Sequence, residues 1–159
     1  MIFTTKAEYG VRLLVELGRQ GSANPISLKA IAEAEGLPLA YLERIVALLK
    51  KAGLVESQRG AHGGYRLARR PEEITMDQAV LALEGVVAPM SCFMAEDDVE
   101  RKGVQCSHHG DAGAGCATKL LWTRVQGSIV DAMKGTTLAE LIDFSSRNSN
   151  LLPLVTING

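Results

Sequence analysis

The chain has 159 residues, of which 47% are hydrophobic and 22% charged, with a net charge of −1 and three cysteines. Such a length suits one domain or a small domain with an extension, and such an apolar share excludes wholesale disorder. No apolar run is long enough to span a bilayer and no secretory signal pattern opens the chain, so a soluble cytoplasmic protein without a membrane partner is expected.

The first helix is predicted from about Lys6 to Gln20. Thr5-x-x-Glu8 has the form of a capping box, Tyr9, Leu13, Leu14 and Leu17 build an apolar face, and Gly18 and Gly21 weaken the end. Ser27 is a good N-cap for a short helix carrying Leu28, Ile31 and Ala32 and stopped at Gly36. Pro38 suits the first turn of the next helix, in which Leu42, Ile45, Val46, Leu48 and Leu49 recur at helical spacing before Gly53 closes it. Two helices joined by a tight glycine-containing turn outline a helix-turn-helix. Leu54-Val55 and Tyr65-Arg66-Leu67 then read as two short strands around a glycine-rich tip holding Arg59, Gly60 and His62. Helix stop, strand, basic tip and strand arrive in the order of a winged helix.

Charge is distributed to match. Between Tyr41 and Arg70 seven basic residues stand against two acidic ones, whereas from Pro71 onward six stand against twelve. A basic patch beside an acidic remainder is the electrostatic footprint of phosphate contact. On double-stranded DNA, Tyr41 and Arg44 are expected to face the major groove, where arginine favours guanine N7 and O6 and Glu43 can accept from cytosine N4. Arg59 is expected in a narrow minor groove, with His62 as an exposed wing residue. No nucleophile–base grouping or phosphate-binding loop is present, so an enzyme is not expected.

Past the wing, Thr75-x-x-Gln78 is expected to cap a short helix carrying Met76, Ala79, Val80 and Leu83 and ended by Gly85. From Val86 to Gly115 the apolar periodicity disappears. Cys92, Cys106 and Cys116 lie in or just after this segment, with His108 and His109 between them. A loop this long is uncommon in a compact domain, and a metal centre would supply the missing ordering energy. Thiolates are soft ligands suited to iron–sulfur clusters and to zinc; zinc held by cysteine and histidine, or free thiols acting as a redox sensor, are the alternatives to a cluster.

The longest helical signal follows, about Ala117 to Lys134, with Leu120, Leu121, Val125, Ile129, Val130 and Met133 on a broad apolar face beside Trp122. A small domain has little core left for it to fill, so the helix is expected to pair with its copy in a homodimer that reads a palindromic operator. Thr137-x-x-Glu140 caps a final short helix reaching Phe144, and an apolar stretch, Leu151 to Ile157, has no assigned role. The expected architecture is mainly α with a small β-hairpin wing. A winged helix-turn-helix domain occupies 1–85 and a cysteine-bearing loop 86–116; the dimerisation helix and short C-terminal helix occupy 117–144 and a loose tail 145–159.

Thr5-Lys6-Ala7-Glu8-Tyr9-Gly10-Val11-Arg12, Tyr41-Leu42-Glu43-Arg44-Ile45, the wing from Arg59 to Ala68, and Cys116 leading into Trp122 together resemble the IscR-type family over roughly Met1 to Phe144. The wing motif is quite specific. Members of that family, which includes the NsrR and RirA types, are dimeric winged-helix transcription regulators carrying an iron–sulfur cluster, 2Fe–2S or 4Fe–4S. The resemblance implies cluster ligation by Cys92, Cys106 and Cys116 and base discrimination by Glu43, with Gly60 and Arg66 as parts of the wing. The chain departs from the family in its wider cysteine spacing and in having Lys119 where many members have a histidine. The fourth ligand is then His108 or His109, or Glu8 of the partner subunit.

Overall fold

The computed structural model describes residues 3–21, 24–60, 62–90, 93 and 116–147. Helix α1 spans Thr5–Arg19 and buries Ala7, Leu13, Leu14 and Leu17 at helical spacing. Its N-cap is Thr4, not Thr5: the extended backbone at Thr4 lets its hydroxyl accept from the Lys6 N–H at 3.2 Å. The expected Thr5–Glu8 capping box is therefore not formed, because Thr5 is already inside the first turn. Helix α1 continues through Gly18 to Arg19. A β-carbon at Gly18 would strike the side chain of Ile142, and one at Gly10 would strike Leu83, so both glycines let neighbouring helices close on α1.

Helix α2, Leu28–Glu35, starts at Ser27, whose Oγ accepts from the Ala30 N–H at 3.1 Å, and stops at the left-handed Gly36. Helix α3, Leu39–Lys51, buries Leu42, Ile45, Val46 and Leu49; Pro38 is its N-cap rather than a residue of its first turn. Arg12 on α1 locks α2 in place by donating to the Glu35 carboxylate at 2.8 Å and to the Glu35 carbonyl at 2.5 Å. The second bond caps a carbonyl at the C-terminal end of α2, where backbone acceptors lack helical partners.

Strands β1, Val55–Gln58, and β2, Gly64–Leu67, pair antiparallel with Glu56 opposite Arg66 and Ser57 opposite Tyr65. On its other edge β2 is bridged by Ile26, which exchanges backbone bonds with Tyr65 at 2.9 and 2.8 Å. That contact holds the wing to the segment before α2.

A 3-10 turn at Pro71–Glu73 leads to α4, Met76–Glu84. The Thr75 hydroxyl turns to Asp77 instead of capping α4, and Gln78 accepts from Arg69 at 3.0 Å. Helix α5 spans Ala117–Lys134 and α6 spans Leu138–Arg147, about a turn beyond the expected end at Phe144. The expected box at Thr137 is formed: Glu140 accepts from the Thr137 N–H at 2.7 Å while the Thr137 hydroxyl accepts from the Glu140 N–H at 3.3 Å.

One core joins these elements. Leu13, Leu14, Ile31, Leu42, Leu49, Ile74 and Leu138 are fully buried together, and the Leu138 N–H reaches the Ile74 carbonyl at 2.8 Å. Helix α5 stands apart, since none of its residues is buried. Its C-terminal part leans on the core through Met133, while Leu120 and Leu121 near its start are 61% and 55% exposed. The mainly helical architecture with a hairpin wing is thus observed as expected. Among the described residues no helix is long and apolar enough to cross a membrane.

Candidate nucleic-acid interface and cysteine site

The outward stripe of α3 follows from its inward one. Burying Leu42, Ile45, Val46 and Leu49 leaves Ala40, Glu43, Arg44, Ala47, Lys50 and Lys51 exposed on the opposite face. Neither Glu43 nor Arg44 makes a hydrogen bond or ion pair with another described side chain, so both are available to an outside partner. Tyr41 lies at the border of the two stripes, half-buried, with its ring edge-on to Tyr9.

Behind α3 the wing is tied to the helix by a side-chain contact. Lys50 donates to the Ser57 hydroxyl at 2.8 Å and lies 5.9 Å from the Tyr65 ring centroid, joining the end of α3 to both strands. Gly64 allows the backbone of Ile26 to approach β2 where a β-carbon would not fit, and Gly60 takes a φ of 121°, outside the range of ordinary side chains. Arg59 and His62 are exposed at the tip.

The basic patch is not uniform. Arg66 is engaged by Glu56 at 2.6 Å and Arg70 by Glu73 at 2.7 Å. The Arg70 guanidinium, hydrogen-bonded to Glu73, holds that carboxyl below the usual carboxylate range. Arg44, Lys51 and Arg59 have no carboxylate partner among the described residues. Within the basic patch, Arg44 and Lys51 on α3 and Arg59 at the wing tip, the two parts expected to meet DNA, are thus left without a carboxylate, while Arg66 and Arg70 are internally paired and Arg69 donates to the neutral Gln78.

Of the expected cysteine site, Cys116 and Glu8 are described; Cys92, Cys106, His108 and His109 lie outside the described residues. Cys116 is the N-cap of α5 and half-buried, with its Sγ 3.1 Å from the Thr118 hydroxyl. Hydrogen bonding from Thr118, then from the Lys119 backbone N–H, pulls the thiol below its ordinary range. A thiol so poised fits a soft-metal ligand, which binds as the thiolate. Among the described residues, no cluster of metal-ligating side chains is gathered within this one chain.

One contact ties the start of the segment that carries the other cysteines to α5. Gln126 of α5 donates to the Val87 carbonyl at 2.6 Å, and Val87 is buried. The loop thus departs from the middle of the helix whose start it reaches at Cys116. Glu8 is exposed on α1, makes no hydrogen bond or ion pair with a described residue, and lines an apolar groove of about 630 Å3 with Phe3, Val11, Val80, Ile129 and Met133. Sequence periodicity missed Lys50, Gln126 and the Tyr9–Tyr41 pair as site residues. Each acts through a contact between distant segments, which no local pattern encodes.

The chain matches, over residues 3–144, the profile of a family described as Rrf2, iron-dependent transcriptional regulator. It is 34% identical to Protein rrf2 of Nitratidesulfovibrio vulgaris, an alignment covering 96% of this chain and 92% of the other. Its fold superposes with a TM-score of 0.71 on the structure of CymR, the global cysteine regulator of B. subtilis, at 33% identity, covering 91% of this chain and 98% of that one. It superposes equally, at 0.71 and 32% identity, on T. potens IscR, covering 94% of this chain and 93% of that one.

Proposed function

The chain belongs to the Rrf2 family of transcriptional regulators, DNA-binding proteins and not enzymes, and on that premise we propose that its operator affinity is set by an iron–sulfur cluster, 2Fe–2S or 4Fe–4S, sensing iron, redox state or nitric oxide. The observation that carries the cluster part is the match to a family described as iron-dependent, in a chain whose Cys116 stands at the start of α5 with its Sγ 3.1 Å from the Thr118 hydroxyl. Cys92, Cys106 and Cys116 would hold the cluster, with the fourth position taken by His108, His109 or Glu8 of the partner subunit. The group, when bound, would supply a centre whose charge and occupancy follow its chemical surroundings.

The protein residues do the rest. Tyr41, Glu43 and Arg44 present themselves to the major groove, and Arg59, with Gly60 and His62 shaping the tip, reaches the minor groove. Arg66 supports the wing through Glu56. The exposed Leu120 and Leu121, and the apolar groove lined by Ile129 and Met133 further along the same helix, support a homodimer joined through α5. Such a dimer would read a palindromic operator, and ordering of the segment 86–116 against α5 would set the spacing of the two α3 helices.

The experiment is anaerobic purification followed by a visible spectrum and iron, sulfide and zinc analysis of the wild type and of the Cys92→Ala/Cys106→Ala/Cys116→Ala protein. Iron and sulfide with colour in the wild type, all lost in the variant, support the cluster. Colour surviving in the variant sinks the ligand assignment. A second reading, a zinc-bound or bare-thiol regulator, draws on the equal similarity to the cysteine regulator CymR. Zinc without sulfide, or thiols without metal, would establish it.

A further inference from the structure

Tyr41 leans on α1. Its ring centroid lies 5.6 Å from that of Tyr9 and the two planes cross at 88°, an edge-to-face pair between α1 and the first turn of α3. We propose that Tyr9 is a positioning residue for DNA recognition, fixing the direction in which Tyr41 meets the major groove; this rests on the proposed role of α3 as the reading helix.

The geometry supplies the reason. Tyr41 sits between the exposed stripe of Ala40 and Arg44 and the buried stripe of Leu42 and Ile45, so the helix alone does not dictate where its ring goes. Beside it opens a groove of about 400 Å3, lined by Thr5, Tyr9, Pro38, Ala40, Tyr41 and Arg44, with room for the ring to swing. Tyr9 closes one side of that space. Both rings are half-buried against the core, Tyr9 on the helix that buries Leu13 and Leu14 and Tyr41 on the helix that buries Leu42 and Leu49, so each limits where the other can lie. Of the two rings, Tyr41 is the one carried by α3, beside the exposed Ala40 and Arg44. An edge-to-face contact favours one ring direction over others, and a side chain oriented before binding loses less freedom when it binds. The phenol hydroxyls make no hydrogen bond with a described residue, which leaves the ring contact as the orienting force. Arg44 stands one turn from Tyr41 on the same groove, so a misdirected Tyr41 ring would also crowd the cation that reads beside it.

The test is a double-mutant cycle on the full-length protein. The probe is the duplex that the wild type selects from a randomised library, and the control is the same duplex shuffled. Tyr9→Leu is expected to weaken binding to the selected duplex about three- to tenfold, the size an aromatic pair supplies, while leaving the shuffled duplex unaffected. In a Tyr41→Ala background Tyr9→Leu should bring no further loss. Tyr9→Phe, which keeps the ring, should bind as the wild type does. Additive losses, or an equal loss on shuffled DNA, would overturn the proposal. So would a Tyr9→Phe loss as large as that of Tyr9→Leu, since the hydroxyl and not the ring would then be at work. Should Tyr41→Ala bind the selected duplex as tightly as wild type, the reading role of α3 itself falls; an impaired Tyr41→Ala with an unimpaired Tyr9→Leu sinks only the positioning role. Melting curves accompany each variant, and Tyr9→Met replaces Tyr9→Leu if the latter does not fold.

Discussion

Arg66 faces Glu56 directly across the wing and donates to its carboxylate at 2.6 Å, so the stem of the hairpin spends a cation on itself while Arg59 at the tip keeps its charge for another partner. Arg59→Ala should therefore weaken operator binding by about 1–3 kcal/mol, the range of a specific contact. Arg66→Ala, which breaks a half-exposed surface pair, should cost no more than about 1 kcal/mol of stability and have a smaller effect on binding than Arg59→Ala. Titration of both variants at moderate salt checks the order; a reversed order would place the DNA contact on the stem.

Gly64 leaves no space for a side chain beside the backbone of Ile26. Gly64→Ala should destabilise the fold by about 1–3 kcal/mol, as overpacking does, and loosen the wing from the segment before α2. Thermal unfolding and operator titration together test this: both should suffer. Unchanged unfolding would show that the Ile26–Tyr65 bridge gives way easily.

Leu120 and Leu121 are exposed on a helix that buries none of its residues in the single chain. Leu120→Glu/Leu121→Glu should yield a folded monomer by light scattering, with weakened operator binding, because a two-fold site needs both reading helices. A variant that stays dimeric would move the interface off this part of α5.

The Glu8 carboxylate has no bond to any described residue, and the N-cap N–H that a capping-box glutamate would accept from is taken by Glu84, which accepts from the Thr4 N–H at 3.1 Å. Glu8→Ala should accordingly leave stability within about 0.5 kcal/mol of wild type, as expected of an uninvolved surface group. Its visible spectrum and rate of cluster loss should change if Glu8 of the partner subunit is the fourth ligand. An unaltered spectrum assigns that position to His108 or His109.

Local signals carried the elements well. Ser27 and Gly36 bound α2 as their chemistry requires, Thr137 and Glu140 form their box, and α5 runs over Ala117–Lys134 as its periodicity predicts. Where two threonines compete for one cap, the pattern chose wrongly: Thr4 and Thr5 are adjacent, and only the extended backbone at Thr4 decides between them. Gly18 has a second role that its local pattern does not show. A glycine looks like a helix breaker in sequence, yet Ile142, far along the chain, is what requires its small size. The same distance hides the Tyr9–Tyr41 pair, the Lys50–Ser57 bond and the Gln126 anchor. Residue type announced the helix-turn-helix and the wing, whereas the contacts that orient them arise only when separate segments meet.

If thiol-held iron–sulfur chemistry governs DNA binding, affinity for the selected duplex must differ on one anaerobic preparation before and after the cluster is removed. Fluorescence anisotropy should show a change of at least about fivefold, the lower end of typical coupling between two sites, and the protein lacking all three cysteines should match the cluster-free value under both conditions. Equal affinities before and after removal would contradict the account.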